Sequence, residues 1–329
     1  MIFNTLKEYN DFHHSILYIY LGAGCNFQCK YCIEGQTHRY EKKEINPKIY
    51  PFIEEFEGVI TFYGGEPFLY FDQMQEIVSQ CSNKKHFASM TNGTLIQKNE
   101  LFFINNKHIS INVSWDGPNT KKTRFRDVIE ENWNNLVQIN DLWISTVINK
   151  YNYPKDFLSS MCILDSYYYK LHKYHMRCFL EPIIKSYEDS FFDMDLERLR
   201  WEITDILKSP SNFYEAFFGL YIRNLGLFDK PKYLEKCGAG FFSTVITVDG
   251  KLNYCKNYPK PIGDLSDISK YQNLVLAGDK NICKEECLNC SIGRICLGGC
   301  RINNFRREHF CKTQKAFFEP VMDFYNRKD

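Results

Sequence analysis

From Ser15 to Glu181, short apolar runs rich in β-branched and aromatic residues take turns with stretches of helical spacing. The runs are Ser15–Leu21, Gly58–Tyr63, His86–Thr91, His108–Trp115, Trp143–Ile148 and Tyr174–Glu181. Between them lie Phe71–Cys81, Ile96–Asn105, Val128–Asn140 and Pro154–Leu164. This order predicts a parallel sheet with right-handed helical crossovers. Six strands are too few for an eight-fold barrel, so the expected fold is α/β, a partial (β/α)6 TIM-like barrel. Functional residues are then expected at the carboxyl ends of the strands.

The cysteines divide the rest of the chain. Of 14 cysteines in 329 residues, three stand at 25, 29 and 32, and eight lie between Cys237 and Cys311. We therefore divide the chain into a barrel over 1–187, a helical connector over 188–230 and a cysteine-rich domain with a closing helix, Gln314–Tyr325, over 231–329. In the last part, Ser243–Val248 and Lys251–Tyr254 flank Asp249-Gly250 and read as a hairpin, since Asp-Gly supplies the positive φ of a tight turn. A chain of this length does not need disulfides for stability, and Lys7, Glu8 and Asp11 interrupt any signal-peptide pattern. A reducing, cytoplasmic setting is expected, where clustered cysteine means metal or redox chemistry. Lys plus Arg number 41 against 40 Asp plus Glu. That balance argues against nucleic acid as a partner, and the glycines, asparagines and histidines within Phe12–Cys29 argue against a membrane span.

The first cysteine group, Gly22-Ala23-Gly24-Cys25-Asn26-Phe27-Gln28-Cys29-Lys30-Tyr31-Cys32, follows the first predicted strand directly. Three thiolates spaced C-x3-C-x2-C can hold three irons of a [4Fe–4S] cubane and leave the fourth open to another ligand. The alternative is a structural zinc loop, with His38 as a possible fourth ligand.

With Tyr31 in its aromatic position, this spacing resembles the radical S-adenosylmethionine superfamily. The resemblance implies that Cys25, Cys29 and Cys32 hold the cluster and that S-adenosylmethionine chelates the open iron. Its reductive cleavage gives a 5′-deoxyadenosyl radical that abstracts a substrate hydrogen. It further implies cofactor contacts at Tyr31 and at the strand ends. Gly64, Gly65, Glu66 and Pro67 follow the second strand and would meet the methionine amino group. Asn92 follows the third, and Ser114 and Asp116 close the fourth, near the ribose. Arg126 would meet the methionine carboxylate, which a guanidinium fork suits; alternatively it is a solvated helix-start charge.

The second field resembles the SPASM extension: Cys237, then Gly250-x4-Cys255, then Cys287-x2-Cys290-x5-Cys296-x3-Cys300, then Cys311. The resemblance implies two auxiliary [4Fe–4S] clusters, making three in all. Cys237, Cys255 and Cys300 would hold one, with an open iron or a ligand such as Cys283; Cys287, Cys290, Cys296 and Cys311 would hold the other. A pair of zinc knuckles is the competing reading. The implied activity is that of a peptide- or protein-modifying maturase (RiPP maturation) served by a flavodoxin- or ferredoxin-type reductant. A ribosomally made precursor peptide is the expected substrate, and with only about a dozen residues before the first strand, a separate leader-binding protein is a possible further partner. Thioether or carbon–carbon cross-linking is the preferred reaction. Epimerisation is an alternative, with Cys178 as hydrogen donor if the sixth strand turns it to the lumen. Formylglycine formation is another, weakened because sulfatase-maturing relatives carry Asp where this chain has Lys256. Cys81 and Cys162 fall in predicted helices and read as small buried hydrophobes, as free cysteines usually are. From a different class, a non-catalytic iron–sulfur electron carrier or zinc scaffold would cleave no S-adenosylmethionine.

Overall fold

The computed structural model describes residues 16–32, 40–182, 193–208, 243–256, 258–266, 289–293 and 307–326. One sheet runs through them. Strands β1 (Ile16–Tyr20), β2 (Val59–Tyr63), β3 (Phe87–Thr91), β4 (Ser110–Ser114), β5 (Leu142–Ile148) and β6 (Arg177–Pro182) pair in parallel, each with the next. All six expected strands are present, within a few residues of their expected bounds. Helices α1 (Ile49–Glu55), α2 (Phe71–Gln80), α3 (Lys98–Asn106), α4 (Thr120–Arg124), α5 (Val128–Leu136) and α6 (Pro154–His172) fill the crossovers. The architecture is the expected α/β partial barrel.

Local chemistry sets the helix ends. Asp127 caps α5, accepting from the Ile129 amide at 3.0 Å, as a short acidic side chain does for orphan amides. Gln97 and Glu100 close a capping box on α3. Helix α6 runs two turns beyond its expected end. Its Ser-Tyr-Tyr-Tyr segment is a middling helix former, but Tyr168 is buried and donates to the carbonyls of Ile139 (3.0 Å) and Asn140 (2.7 Å). Tertiary packing outweighs propensity there.

The expected hairpin is present as β7 (Ser243–Thr247) and β8 (Lys251–Cys255), and β9 (Tyr258–Asp264) extends it. It is not a separate layer. Strand β7 pairs in parallel with β1, so the order across the sheet is β6-β5-β4-β3-β2-β1-β7-β8-β9. Two helices complete the description. Helix α7 (Leu196–Lys208) lies in the expected connector, and α8 (Arg307–Asn326), which packs on it, begins well before the expected closing helix and takes in Cys311.

Side chains alternate across the sheet as the pleat requires. Leu17, Ile19, Ile60, Phe62, Ile111, Val113 and Ile144 lie on the face that the helices cover and share one hydrophobic core with them. Tyr18, Thr61, Tyr63, Met90, Asn112, Ser114 and Ser145 occupy the intervening positions on the inner face. Among the described residues, no helix is long and apolar enough to cross a membrane.

Candidate functional site

The cysteine loop after β1 is fastened to the β2–α2 loop by backbone. The Leu21 amide donates to Tyr63 O at 2.9 Å, Gly65 to Gly22 O at 2.9 Å and Glu66 to Gly24 O at 2.8 Å. A Cβ at Gly65 would run into the carbonyl oxygens of Ala23 and Gly24, so two backbones meet at a distance that only glycine allows. Pro67 opens a 3-10 turn ending at Tyr70, and the Tyr70 hydroxyl accepts from the Gly24 amide at 3.0 Å. The next residue is Cys25.

Glu66 lies beneath this junction, buried, with three donors of its own chain on its carboxylate. Thr91 Oγ1 donates at 2.6 Å, the Asn92 amide at 2.7 Å and the Phe68 amide at 3.0 Å. Burial pushes its carboxyl above the usual range, against the pull of those hydrogen bonds. Its observed work is to tie the end of β2 to the end of β3. The Asn92 side chain is similarly engaged: its amide donates to Asn26 Oδ1 at 2.7 Å and its oxygen accepts from Thr94. A polar clasp therefore joins the cysteine loop to the end of β3.

Cys25, Cys29 and Cys32 are all half-buried in this one loop. Burial pushes the Cys25 thiol up to about 11 and Cys29 to about 12, each raised further by neighbouring thiols and lowered by Arg124. Soft metal ions would bind the three sulfurs as thiolates and displace their protons. Among the described residues, no three His, Cys, Asp or Glu side chains gather as a site for one metal ion. Three soft sulfur donors on one loop, in electrostatic reach of each other beside a buried cation, fit an iron–sulfur cluster in donor chemistry.

Three expected contacts stand differently. Asp116 was expected at a ribose, but it is fully buried and points beneath the loop. Its Oδ2 accepts from Tyr31 Oη and Thr123 Oγ1, each at 2.7 Å, and pairs with Arg124 Nε at 3.2 Å. Its Oδ1 accepts from the Val147 amide at 3.4 Å. Tyr31 is correspondingly buried, against Phe310 on α8, with Cys311 packed alongside. Arg126, expected at a carboxylate, is exposed; it pairs with Glu131 and lies 5.3 Å over the Phe27 ring. The arginine at the cysteine loop is Arg124, whose Nη1 lies 3.9 Å from Cys29 Sγ. Sequence reasoning passed over it because nothing in Thr-Lys-Lys-Thr-Arg says which cation turns inward.

Cys178 corrects a further expectation. Strand alternation places it on the helix-covered face, in the hydrophobic core, not in the lumen. Burial pushes its thiol up to about 12, and its electrostatic neighbours, Asp165 and Cys162, both belong to α6. Of the other two scattered cysteines, Cys81 is buried as expected and Cys162 is exposed. Ser114 does stand on the inner face at the end of β4. Lys256, which sequence registered only as a departure from relatives, brings its Nζ to 4.8 Å from the Tyr18 ring centre and 5.1 Å from that of Tyr63, with Met90 Sδ at 3.8 Å. It puts a cation on the inner face over β1, β2 and β3.

Of the second cysteine field, Cys255 is buried on β8, Cys290 packs at the edge of the core and Cys311 lies on α8. Cys237, Cys283, Cys287, Cys296 and Cys300 lie outside the described residues, as does His38.

Residues 19–149 match the family model described as the radical SAM superfamily. Over those residues the chain carries a radical SAM domain, the domain of an enzyme. Among curated proteins it is 24% identical to a cysteine-type anaerobic sulfatase-maturating enzyme of Clostridium perfringens, over 90% of this chain and 93% of that one. It is 22% identical to the radical SAM cyclopropyl synthase TigE of Paramaledivibacter caminithermalis, over 84% of this chain and 65% of TigE. Among solved structures, native anSMEcpe with bound AdoMet superposes with a TM-score of 0.67 at 18% identity, covering 96% of this chain and all of that one. Streptococcus suis SuiB bound to its precursor peptide SuiA gives 0.62 at 20% identity, covering 89% and 73%. These superpositions show a shared fold.

Proposed function

We propose that this chain is a cytoplasmic radical S-adenosylmethionine maturase acting on a ribosomally made peptide or protein. Cys25, Cys29 and Cys32 would hold a [4Fe–4S] cluster whose remaining iron takes S-adenosylmethionine. When bound, that pair supplies hydrogen-atom abstraction from the substrate. The observation that carries the reading is the loop itself: three thiols at the carboxyl end of β1, held by the Gly65 and Tyr70 contacts to the end of β2. A peptide or protein substrate is favoured because a relative that matches most of the chain is named a sulfatase-maturating enzyme, and because anSMEcpe and SuiB are described with a bound peptide. We extend the proposal to a SPASM-type domain over 231–329, following the connector over 188–230. Cys237, Cys255 and Cys300 would serve one auxiliary cluster there, and Cys287, Cys290, Cys296 and Cys311 the other. A flavodoxin- or ferredoxin-type protein would supply the electron.

The chain's own residues then have distinct tasks. Gly22, Gly24 and Gly65 let the loops meet, and Glu66 and Asn92 hold the ends of β2 and β3 in register with the cysteine loop. Tyr18, Tyr63, Met90, Ser114 and Lys256 line the inner face that a substrate residue would enter. Cys178 faces away from it, which removes Cys178 as the hydrogen donor for epimerisation.

The bond made is proposed to be a thioether or carbon–carbon cross-link. Formylglycine formation is the second reading, favoured by the match to the sulfatase-maturating enzyme along nearly the whole chain. Anaerobic reconstitution with iron, sulfide and dithionite should give about twelve iron atoms per chain and release 5′-deoxyadenosine. Intact S-adenosylmethionine under those conditions would overturn the reading. Mass analysis of a co-expressed peptide then separates the chemistries. Loss of two hydrogens without carbonyl reactivity marks a cross-link, a hydrazine-reactive aldehyde marks formylglycine, and unchanged mass with one deuterium gained in heavy water marks epimerisation.

A further inference from the structure

The inward-facing Arg124 is the feature that the proposed function leaves unexplained. Its side chain is 11% exposed and that of its partner Asp116 is fully buried. Burying an ion pair costs desolvation that an apolar pair of the same size avoids, so the pair is not a cheap way to fill space. Its layout is directional. The Nε edge of the guanidinium faces Asp116 Oδ2 at 3.2 Å, whereas Nη1 faces Cys29 Sγ at 3.9 Å. Asp116 is fixed from other sides by Tyr31 Oη and Thr123 Oγ1, and the Tyr31 ring lies 5.4 Å from the guanidinium carbon. The positive end of a buried dipole is thus aimed at one sulfur of the cysteine loop, and its negative end is held behind it.

Cluster potentials are set by net charge, hydrogen bonds to the sulfurs and exposure, and in a low-dielectric site a nearby charge is weakly screened. We propose that Arg124 is a positioning residue that raises the reduction potential of the cluster held by Cys25, Cys29 and Cys32, with Asp116 as the counter-charge behind it. This rests on the cluster assignment above. The added electron places negative charge on the cluster and its sulfurs, and a cation at Cys29 stabilises that state more than the oxidised one. The same contact joins the end of β4 to the cysteine loop, through residues that no cysteine spacing reveals.

The test is a redox titration of the reconstituted full-length chain, followed by electron paramagnetic resonance on the cluster signal that changes when S-adenosylmethionine is added. If no signal in the unaltered protein responds to S-adenosylmethionine, the cluster assignment itself fails, whatever the variants do. Given a responsive signal, Arg124→Gln should leave at least tenfold less of that cluster reduced at a fixed potential, a midpoint about 59 mV lower for a one-electron couple. Arg124→Lys should recover much of the loss, and Asp116→Asn should shift the midpoint the opposite way. A purely structural arginine predicts that Gln and Lys variants lose iron alike while the surviving cluster keeps its midpoint, and that result overturns the proposal. Should Arg124→Gln hold no cluster, Arg124→Met is titrated in its place: a midpoint lowered as for Gln supports the proposal, and an unmoved or raised one refutes it.

Discussion

The two faces of the central sheet differ sharply in what they accept. Toward the helices, β1, β2, β4 and β5 present Leu17, Ile19, Ile60, Phe62, Ile111, Val113 and Ile144, all fully buried. On the inner side the same strands, with β3, present Tyr18, Thr61, Tyr63, Met90, Asn112, Ser114 and Ser145, and Lys256 reaches over them. Inner-facing Asn112 and Asn253 each carry a buried side-chain oxygen with no partner among the described residues. The outer face obeys packing, where a lost methylene costs stability. Ser89 Oγ, on the helix-covered face, also lacks a partner among the described residues, so the polarity of the lining, rather than unsatisfied groups, sets the inner face apart. A residue's face therefore says more about its role than its type does, and Cys178 is the clearest case.

That contrast can be broken by experiment. The largest expected effect is at the mouth of the inner face: Cys29→Ala should abolish 5′-deoxyadenosine release and lower iron by about four atoms per chain, with the circular dichroism spectrum retained. Release that survives would dissolve the proposed role of the loop. Next, Gly65→Ala should strip iron and S-adenosylmethionine binding almost as completely, because its methyl would meet two carbonyl oxygens of the cysteine loop. Calorimetric titration with S-adenosylmethionine measures this, and wild-type affinity would show that the loops can part without consequence. On the helix-covered face, Phe62→Ala should cost ~3–5 kcal/mol in urea unfolding. Tyr63→Phe, one residue along on the other face, should cost under ~1 kcal/mol. Equal costs would mean that the faces are not distinct.

Cys178→Ala should lower stability by ~1 kcal/mol and leave the modified peptide unchanged in mass and stereochemistry; loss of product would return Cys178 to the lumen. The smallest effect concerns Asp141, whose carboxyl lies below the usual range: burial raises it, and hydrogen bonds from Ser110 and Arg177 outweigh that. Because the folded-state value is depressed, its stabilisation is present above the unfolded carboxylate range and fades as pH falls through the folded value. Arg177→Met should therefore cost at most ~1 kcal/mol at neutral pH, with the gap to wild type closing in acid. A gap that widens in acid would contradict the ion pair.

Much of the architecture was legible along the chain because hydrophobic period and turn chemistry are local. All six barrel strands could be read from β-branched and aromatic runs, and the β7–β8 hairpin from Asp249-Gly250. The cysteine loop was legible too, since C-x3-C-x2-C is itself a local spacing. Legibility failed where two distant segments decide an outcome. The pairing of β7 with β1 brings Ser243–Thr247 beside Ile16–Tyr20, which no local pattern announces. The length of α6 depended on where Tyr168 found its acceptors. Arg124 and Arg126 are alternate residues of similar composition, and only the position of Asp116 beneath the cysteine loop makes the first a buried partner and the second a surface charge.

The order of residues alone determined which segments become strands, where glycine had to stand and that three sulfurs would share one loop, because each depends on neighbours within a few positions. Tertiary structure decided which way Cys178, Arg124, Asp116 and Lys256 point. Facing is a property of the assembled sheet: a side chain's burial, charge partners and access to the lumen arise only when strands far apart in sequence take their register.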